Sequence, residues 1–401
     1  FFLIRRFGSE DPALDIRENV KLNPLARSGG METDSLIVII FISLHMAGAL
    51  LSSSSSLALE GLLNPWQPIS SFLAGTFMTA WPEGLLTFTQ HLGWWAVGLI
   101  VLWIPYFPYT KHLHLIMGPV NFMTQPERTY LGQIFTLDFE DESVEQFGAA
   151  TLFDLQKTQV LDTFACIMCS RCQEVCPAYI TGKELSPSAL EINKRYYTKE
   201  DLSGVAGQEF GRPLLEFAIS KSAVWACTAC GHCIEVCPVG NTPMLDIIDI
   251  RRDQVLMASS FPDELKGAFV GMERAGNPWQ STESRLDWTK PLLFDVPTVE
   301  QNPDYEYLLW VGCAGAFNPD AQKTVQALAT VMHEAGVSFA ILGEQEMCTG
   351  DSARRAGNEY LYWEMAQANI ETLNSAGADQ KRIVTSCPHC FTTIGQEYGA
   401  V

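Results

Sequence analysis

Positive charge is scarce in this chain. Only 26 lysines and arginines stand against 46 aspartates and glutamates, a formal charge of −20 over 401 residues. Nucleic-acid binding is driven largely by cationic neutralisation of phosphates, so DNA and RNA partners are set aside. Charge of either sign is sparse as well: 18 % of residues are charged and 47 % are hydrophobic, too apolar for a disordered tail, and the length implies two or three domains. No cysteine precedes Cys166, although the chain has twelve. Nor is there a basic, cleavable signal peptide, so a secreted disulfide framework gives way to metal thiolates in a reducing compartment. A Gly-rich dinucleotide fingerprint is missing too, since Gly312-Cys-Ala-Gly315 is too short, and NAD or flavin would have to come with a partner. The chain starts at Phe1 rather than Met and stops soon after a cysteine motif, so it reads as a piece of a longer protein.

Residues 1–34 form a hydrophilic cytoplasmic arm carrying Arg5, Arg6, Arg17, Lys21 and Arg27 behind a short apolar start, Phe1 to Ile4. Residues 35–120 are the expected membrane domain. Leu36 to Leu59 contains no formal charge, and as a helix it would be about 36 Å long, enough for a hydrocarbon core of about 30 Å. The run Ser52 to Ser56 is expected to weaken its outer end. A second uncharged run, Leu85 to Tyr109, holds Trp94, Trp95, Trp103, Tyr106 and Tyr109 as interfacial anchors, and Lys111 follows. Pro65 to Trp81 is apolar but short and reads as an interfacial or re-entrant piece. Two spans put both cationic flanks on one side and leave the Lys- and Arg-free stretch Glu60 to Leu86 on the other. The positive-inside rule then predicts a cell (inner) membrane protein whose downstream domains are cytoplasmic. Two buried helices of a soluble protein are the alternative.

Residues 121–300 carry a repeated spacing. Cys166-x2-Cys169-x2-Cys172-x3-Cys176-Pro177 recurs as Cys227-x2-Cys230-x2-Cys233-x3-Cys237-Pro238. Three soft thiolates at i, i+3 and i+6 can grip three irons of a [4Fe–4S] cube, and in two-cluster ferredoxins the fourth cysteine ligates the other cube. Cluster 1 is therefore expected on Cys166, Cys169, Cys172 and Cys237, and cluster 2 on Cys176, Cys227, Cys230 and Cys233. Zinc is the plainer alternative, but a four-ligand site has no use for this pattern appearing twice. Ser170, Arg171 and His232 lie inside the loops, either as ordinary loop residues or as donors to cluster sulfurs. The insert Pro177 to Ala226 reads as helical, with ELSPSALEINKRYY and FGRPLLEFAIS at roughly helical spacing. This longer helical arrangement resembles the ferredoxin domain of succinate-dehydrogenase and heterodisulfide-reductase subunits.

In residues 301–401 the pattern alternates: a strand at Tyr307 to Cys313, a helix from Asp320 to Ala335, a strand at SFAIL, a long helix capped by Asp351 and running through Asn374, and a strand at Arg382 to Cys387. Cysteines fall at the carboxyl ends of strands, where open α/β sheets place ligands. Cys313, Cys348, Cys387 and Cys390, with the phrases CTGDSARRAGNEYLY and VTSCPHCFTTIGQEY, resemble the cysteine-rich CCG domain of heterodisulfide-reductase-related membrane iron–sulfur oxidoreductases. The family's Cys-Cys-Gly is Cys348-Thr349-Gly350 here, and one copy of the domain is visible. The four cysteines could hold a third iron–sulfur cluster or a zinc ion. His389 reads as a helix N-terminal residue rather than a proton donor.

His45, His91, His112 and His114 lie in or beside the spans, and imidazole in a bilayer signals function, with haem b the natural candidate. The segment TKHLHLIM resembles the end of a nitrate-reductase-gamma-like haem b domain, the partner to which such proteins are fused. By helical rise His45 lies about 14 Å above the inner edge and His91 about 24 Å, while His112 and His114 lie at or below it. No two on different helices share a level, so a haem would need ligands from preceding spans.

The predicted fold is mixed: transmembrane α-helices, an α-helical ferredoxin domain with two [4Fe–4S] clusters, then an α/β cysteine-rich domain. The resemblance implies a membrane-bound oxidoreductase passing electrons between a cytoplasmic donor, such as an electron-transfer flavoprotein, and a quinone pool, menaquinone for choice. A heterodisulfide-type thiol–disulfide oxidoreductase and a non-catalytic electron-transfer or anchor subunit are the alternatives.

Overall fold

The two uncharged runs fold against each other as an antiparallel pair in the computed structural model, which describes residues 7–8, 12–207 and 211–401. The apolar start Phe1 to Ile4, and Arg5 and Arg6 behind it, lie outside the described residues. Helix α1 (Met31–Glu60) lies along α3 (Glu83–Gln90) and α4 (Leu92–Tyr106), which meet at His91. Between them α2 (Pro68–Thr76) has nine residues, about 14 Å of helix and too short to span a bilayer.

Small residues set the approach of α1 to α3 and α4. A Cβ on Gly48 would stand 3.3 Å from the Ala96 Cβ, and one on Gly93 would stand 2.6 Å from Ser52 Oγ. Ser52 Oγ donates to the Gln90 carbonyl (2.6 Å) and Gln90 Nε2 donates to Ser56 Oγ (3.1 Å). The serine run therefore packs against the second helix at that end of the pair, as small residues do between helices in lipid. Only 11 % and 17 % of the most apolar windows of the two long helices are buried. Both helices are long and apolar enough to cross a membrane, whereas a core helix of a soluble protein would be mostly enclosed.

Helix α5 (His114–Thr124) leaves this pair and packs on α6 (Lys157–Ala165). Asn121 Nδ2 donates to Asp162 Oδ1 (2.7 Å), and Asp162 Oδ2 accepts from the backbone N–H and the hydroxyl of Thr242, both at 2.7 Å. By packing, the segment from residue 114 belongs with the ferredoxin-like body. The N-terminal arm is a strap on the same ferredoxin-like body: Asn23 N donates to Asn193 Oδ1 (2.7 Å), Lys21 Nζ to the Leu215 carbonyl (3.0 Å) and Gln173 Nε2 to the Asp15 carbonyl (2.8 Å). In the insert, ELSPSALEINKRYY forms the helix Pro187–Glu200, begun by Ser186 accepting from the Ala189 N–H. FGRPLLEFAIS forms a single turn, Leu214–Phe217, behind Pro213.

Three parallel strands build the last unit, β1 (Tyr307–Trp310) between β2 (Phe339–Ala340) and β3 (Arg382–Thr385). Leu308, Leu309 and Trp310 are fully enclosed. The helix expected from Asp351 to Asn374 is two, Asp351–Arg355 and Glu359–Ser375. Gly357 breaks it at φ +89°, where a Cβ would lie 2.5 Å from the Arg251 carbonyl carbon, and the Asn358 side chain caps the second helix. Val255, Phe269 and Met272 share a core with Leu308 and Trp310, so the packed unit begins well before residue 301.

Candidate iron–sulfur sites

The two cysteine loops follow one path. Met168 (φ 55°) and Ala229 (φ 52°) occupy matching left-handed positions, as do Ser170 (φ 62°) and Gly231 (φ 74°). Such angles are costly for residues with a Cβ and persist where the surroundings enforce them. They turn backbone donors inward: Met168 N–H reaches Cys166 Sγ and Ala229 N–H reaches Cys227 Sγ, each at 3.4 Å. Asn241 N–H donates to Cys237 Sγ at 3.3 Å.

Cys166, Cys169, Cys172 and Cys237 line one cavity, together with Ser188, Glu191 and Asn241. Cys233 lies close enough to Cys227, Cys176 and Cys230 for each to raise its thiol pKa after burial, the larger cause. The fourth cysteine of each quartet thus sits with the first three of the other. Burial pushes the thiols of Cys166, Cys172 and Cys227 up, and that of Cys237 to about 11. Crowded buried thiols of this kind hold protons until a cation replaces them. Two groups of four soft donors fit two cubes, in which each iron takes one thiolate. Zinc, a single centre that collects four donors, has no use for eight thiolates arranged as two crossed groups.

The C-terminal thiols form two hydrogen-bonded pairs beyond the carboxyl ends of the strands. Cys313 pairs with Cys348, and Cys387 with Cys390. The hydrogen bond from Cys390 holds the Cys387 thiol down to about 6 and pushes that of Cys390 up. A Cβ on Gly312 would stand 3.3 Å from Cys390 Sγ, so the segment that leads into Cys313 passes directly beside the second pair. Thr349 is buried, with Oγ1 3.9 Å from Cys390 Sγ. Two charged residues complete the site without any mark in the sequence. Arg285 Nη1 lies 3.7 Å from Cys313 Sγ while Nη2 donates to Glu346 Oε1 (2.7 Å), and Glu346 accepts from the N–H groups of Val311 (2.9 Å) and Gly312 (2.7 Å). Asp351, read as a helix cap, instead pairs with Arg355 (2.9 Å) and His389 Nδ1 (2.9 Å), and its hydrogen bond raises the His389 pKa.

The histidines are not brought together across the helix pair. His45 Nδ1 lies 2.9 Å from the Ala96 carbonyl and His91 Nδ1 2.7 Å from the Thr87 carbonyl. His91 shares a cleft with Ser52, seven residues and about 10 Å along α1 from His45. His112 and His114 adjoin, ring centroids 5.7 Å apart, on one segment. His114 Nδ1 is 2.7 Å from the Lys111 carbonyl, and His112 Nδ1 is buried without a partner. Burial and the neighbouring Lys111 hold His112 down to about 4.

Residues 162–241 match the family described as 4Fe-4S dicluster domain, and residues 307–395 the family described as Cysteine-rich domain. The chain is 33 % identical over 404 residues to the "Probable iron-sulfur-binding oxidoreductase FadF" of Bacillus subtilis, covering 90 % of this chain and 57 % of that protein. It is 31 % identical over 360 residues to the "EtfAB:quinone oxidoreductase" of Syntrophomonas wolfei, covering 82 % and 49 %. To a component of the dihydromethanophenazine:CoB--CoM heterodisulfide reductase of Methanosarcina barkeri it is 31 % identical over 252 residues, covering 59 % and 58 %. The chain is thus similar to proteins named for iron–sulfur binding, quinone reduction and heterodisulfide reduction. It spans about half the length of the curated relatives it matches. No solved structure matches it. Iron–sulfur clusters are therefore its cofactors.

Proposed function

We propose that this chain is the membrane-facing iron–sulfur part of an oxidoreductase that passes electrons between a soluble flavoprotein and a quinone pool. The carrying observation is the order of its sites. Met168 of the first loop packs in one cluster with Ala26 and Met31 at the foot of α1. Arg251, on the far side, donates to the carbonyls of Cys227 (2.6 Å) and Arg355 (2.7 Å), next to the third thiol set. Cluster 1 on Cys166, Cys169, Cys172 and Cys237 would then lie nearest the lipid. Cluster 2 on Cys176, Cys227, Cys230 and Cys233 would come next, and a third centre on Cys313, Cys348, Cys387 and Cys390 farthest out. Iron–sulfur clusters supply one-electron transfer, and the protein sets spacing and potential. In this reading α1 and the α3–α4 pair span the cell membrane with the clusters on the cytoplasmic side. The printed name of the Syntrophomonas relative gives the flavoprotein and quinone classes. A haem b held by His45, His91, His112 or His114 would need a second ligand from another helix.

A redox titration of the purified full chain tests this. Reduction of the clusters by a menaquinol analogue, and by a reduced electron-transfer flavoprotein, is the expected result, with about 8 Fe per chain from two cubes before any third centre. Reduction only by a dithiol would favour thiol–disulfide chemistry, against which the missing cysteine at Thr349 already counts. Reduction only in the presence of another subunit would make the chain an electron-transfer anchor.

A further inference from the structure

An open cavity of about 400 Å³ lies between Phe122, Arg128–Gly132, Ile234, Glu235, Cys237 and Gly240, within the size range of small-ligand sites. One wall is Cys237, which also lines the cavity of the first thiol group. Phe122 packs over Gly240, where a Cβ would meet its ring at 3.0 Å. The opposite rim is the segment 128–132, and Arg128 Nη1 is buried there with no hydrogen-bond partner.

An apolar track leads from the membrane to this cavity. α5 begins five residues after the second span ends at Tyr109. Gly118 and Asn121 face inward, while Leu115, Ile116, Phe122 and Met123 stand 55–84 % exposed, and Leu131 on the cavity rim is 53 % exposed. A helix with one stripe of this kind, continuous with a span, suits the boundary between headgroups and acyl chains. A lipid-soluble molecule could follow the stripe without entering water.

We propose that this cavity is the quinone headgroup site, with the isoprenoid tail laid along the exposed face of α5; the proposal rests on the quinone reading above and gives it an address outside the helix pair. Arg128 donates to one ring carbonyl, filling its vacant hydrogen-bonding capacity. Glu235 on the rim is placed to exchange protons with solvent. At the ring, quinone plus two electrons and two protons gives quinol, with an O–H bond formed at each carbonyl. The reduced soluble flavoprotein supplies the electrons and water supplies the protons.

The test is photolabelling of the detergent-purified full chain with an azido-menaquinone analogue, followed by peptide mapping. Saturable label within residues 122–132 or 234–240 is expected. Arg128→Met should raise the half-saturating concentration about tenfold, the loss of one charge-assisted hydrogen bond, and Leu131→Trp, which fills the cavity, should abolish labelling. Both variants should keep the low-temperature EPR spectrum of the dithionite-reduced wild type, which separates a lost site from a lost fold. Label confined to α1 and α4 around His45, unaffected by either variant, overturns the site but leaves the quinone reading standing. No saturable label anywhere, with clusters that menaquinol fails to reduce, overturns both.

Discussion

Arg195 Nη2 donates to the Thr110 carbonyl at 2.5 Å, one residue past the end of the second long helix. The same buried guanidinium reaches the carbonyls of Phe164 (3.2 Å) and Thr163 (3.4 Å) just before Cys166. Guanidinium is a planar fork that holds several carbonyls in fixed directions. One side chain therefore ties the foot of the helix pair to the first cysteine loop.

Arg195→Met should remove that tie and leave buried carbonyls without donors. About 3 kcal/mol of stability should be lost, read as a lower urea midpoint in detergent. Loss of the positive charge beside Cys166 should also move the potential of the nearest centre negative in an EPR redox titration. An unchanged potential with an unchanged urea midpoint would contradict the role.

A second buried network makes stability depend on pH. Lys194 pairs with Glu191 (3.1 Å) and with Asp246, all fully enclosed, and Asp162 adds to the field. Burial lifts Asp246 from its ordinary 3.8 to about 7 despite the pull of Lys194. A carboxyl whose folded pKa exceeds its unfolded value binds protons on folding, so its contribution is full below pH 4 and is lost as the pH rises through 7. Lys194→Met should cost about 3–5 kcal/mol at pH 8, because it leaves buried carboxylates unpaired. It should cost less at pH 5, where they are protonated. Urea unfolding at the two pH values checks this; equal losses at both would count against it.

The cysteine spacing could be read from the sequence because a metal loop is a local object, with its ligands at i, i+3 and i+6. The strand–helix alternation of the last unit is equally local. Arg195, Arg285, Glu346 and the Lys194 network left no such mark, since a charged residue becomes structural only through partners far away in the chain, such as Asp246, 52 residues from Lys194. The packing of the serine run is hidden for a related reason. Its meaning lies in Gly93 on the opposite helix. The break at Gly357 is likewise set by the backbone of Arg251, which no window around Gly357 contains.

The matched loop positions Ser170 and Gly231 should respond in opposite ways to substitution. Ser170→Gly relieves a left-handed residue and should add about 1 kcal/mol. Gly231→Ala imposes the same strain and brings a Cβ to 2.5 Å from the Gly132 N, so it should cost about 2 kcal/mol or more. Urea midpoints, with iron retained per chain after gel filtration, measure both.

Thr349→Cys would turn Cys348-Thr349-Gly350 into the Cys-Cys-Gly that the resemblance implies. Its Sγ would lie near Cys390, where Oγ1 now stands at 3.9 Å, and the buried volume barely changes. A changed EPR signature or a higher iron content at the C-terminal site is expected, with the other two signals untouched. No change in either would mean that position 349 does not face the metal.

The crossed pairing gives the strictest check on the two cysteine quartets. If each quartet held its own cube, Cys176→Ser would damage the centre that Cys166→Ser damages. The cavity shared by Cys166, Cys169, Cys172 and Cys237 requires instead that Cys237→Ser and Cys166→Ser remove the same EPR signal and about 4 Fe. Cys176→Ser should remove the one lost with Cys227→Ser. Because Cys172 also lies near Cys233, the surviving centre should show relaxation changed by the loss of its neighbour, a coupling that two distant sites would not produce.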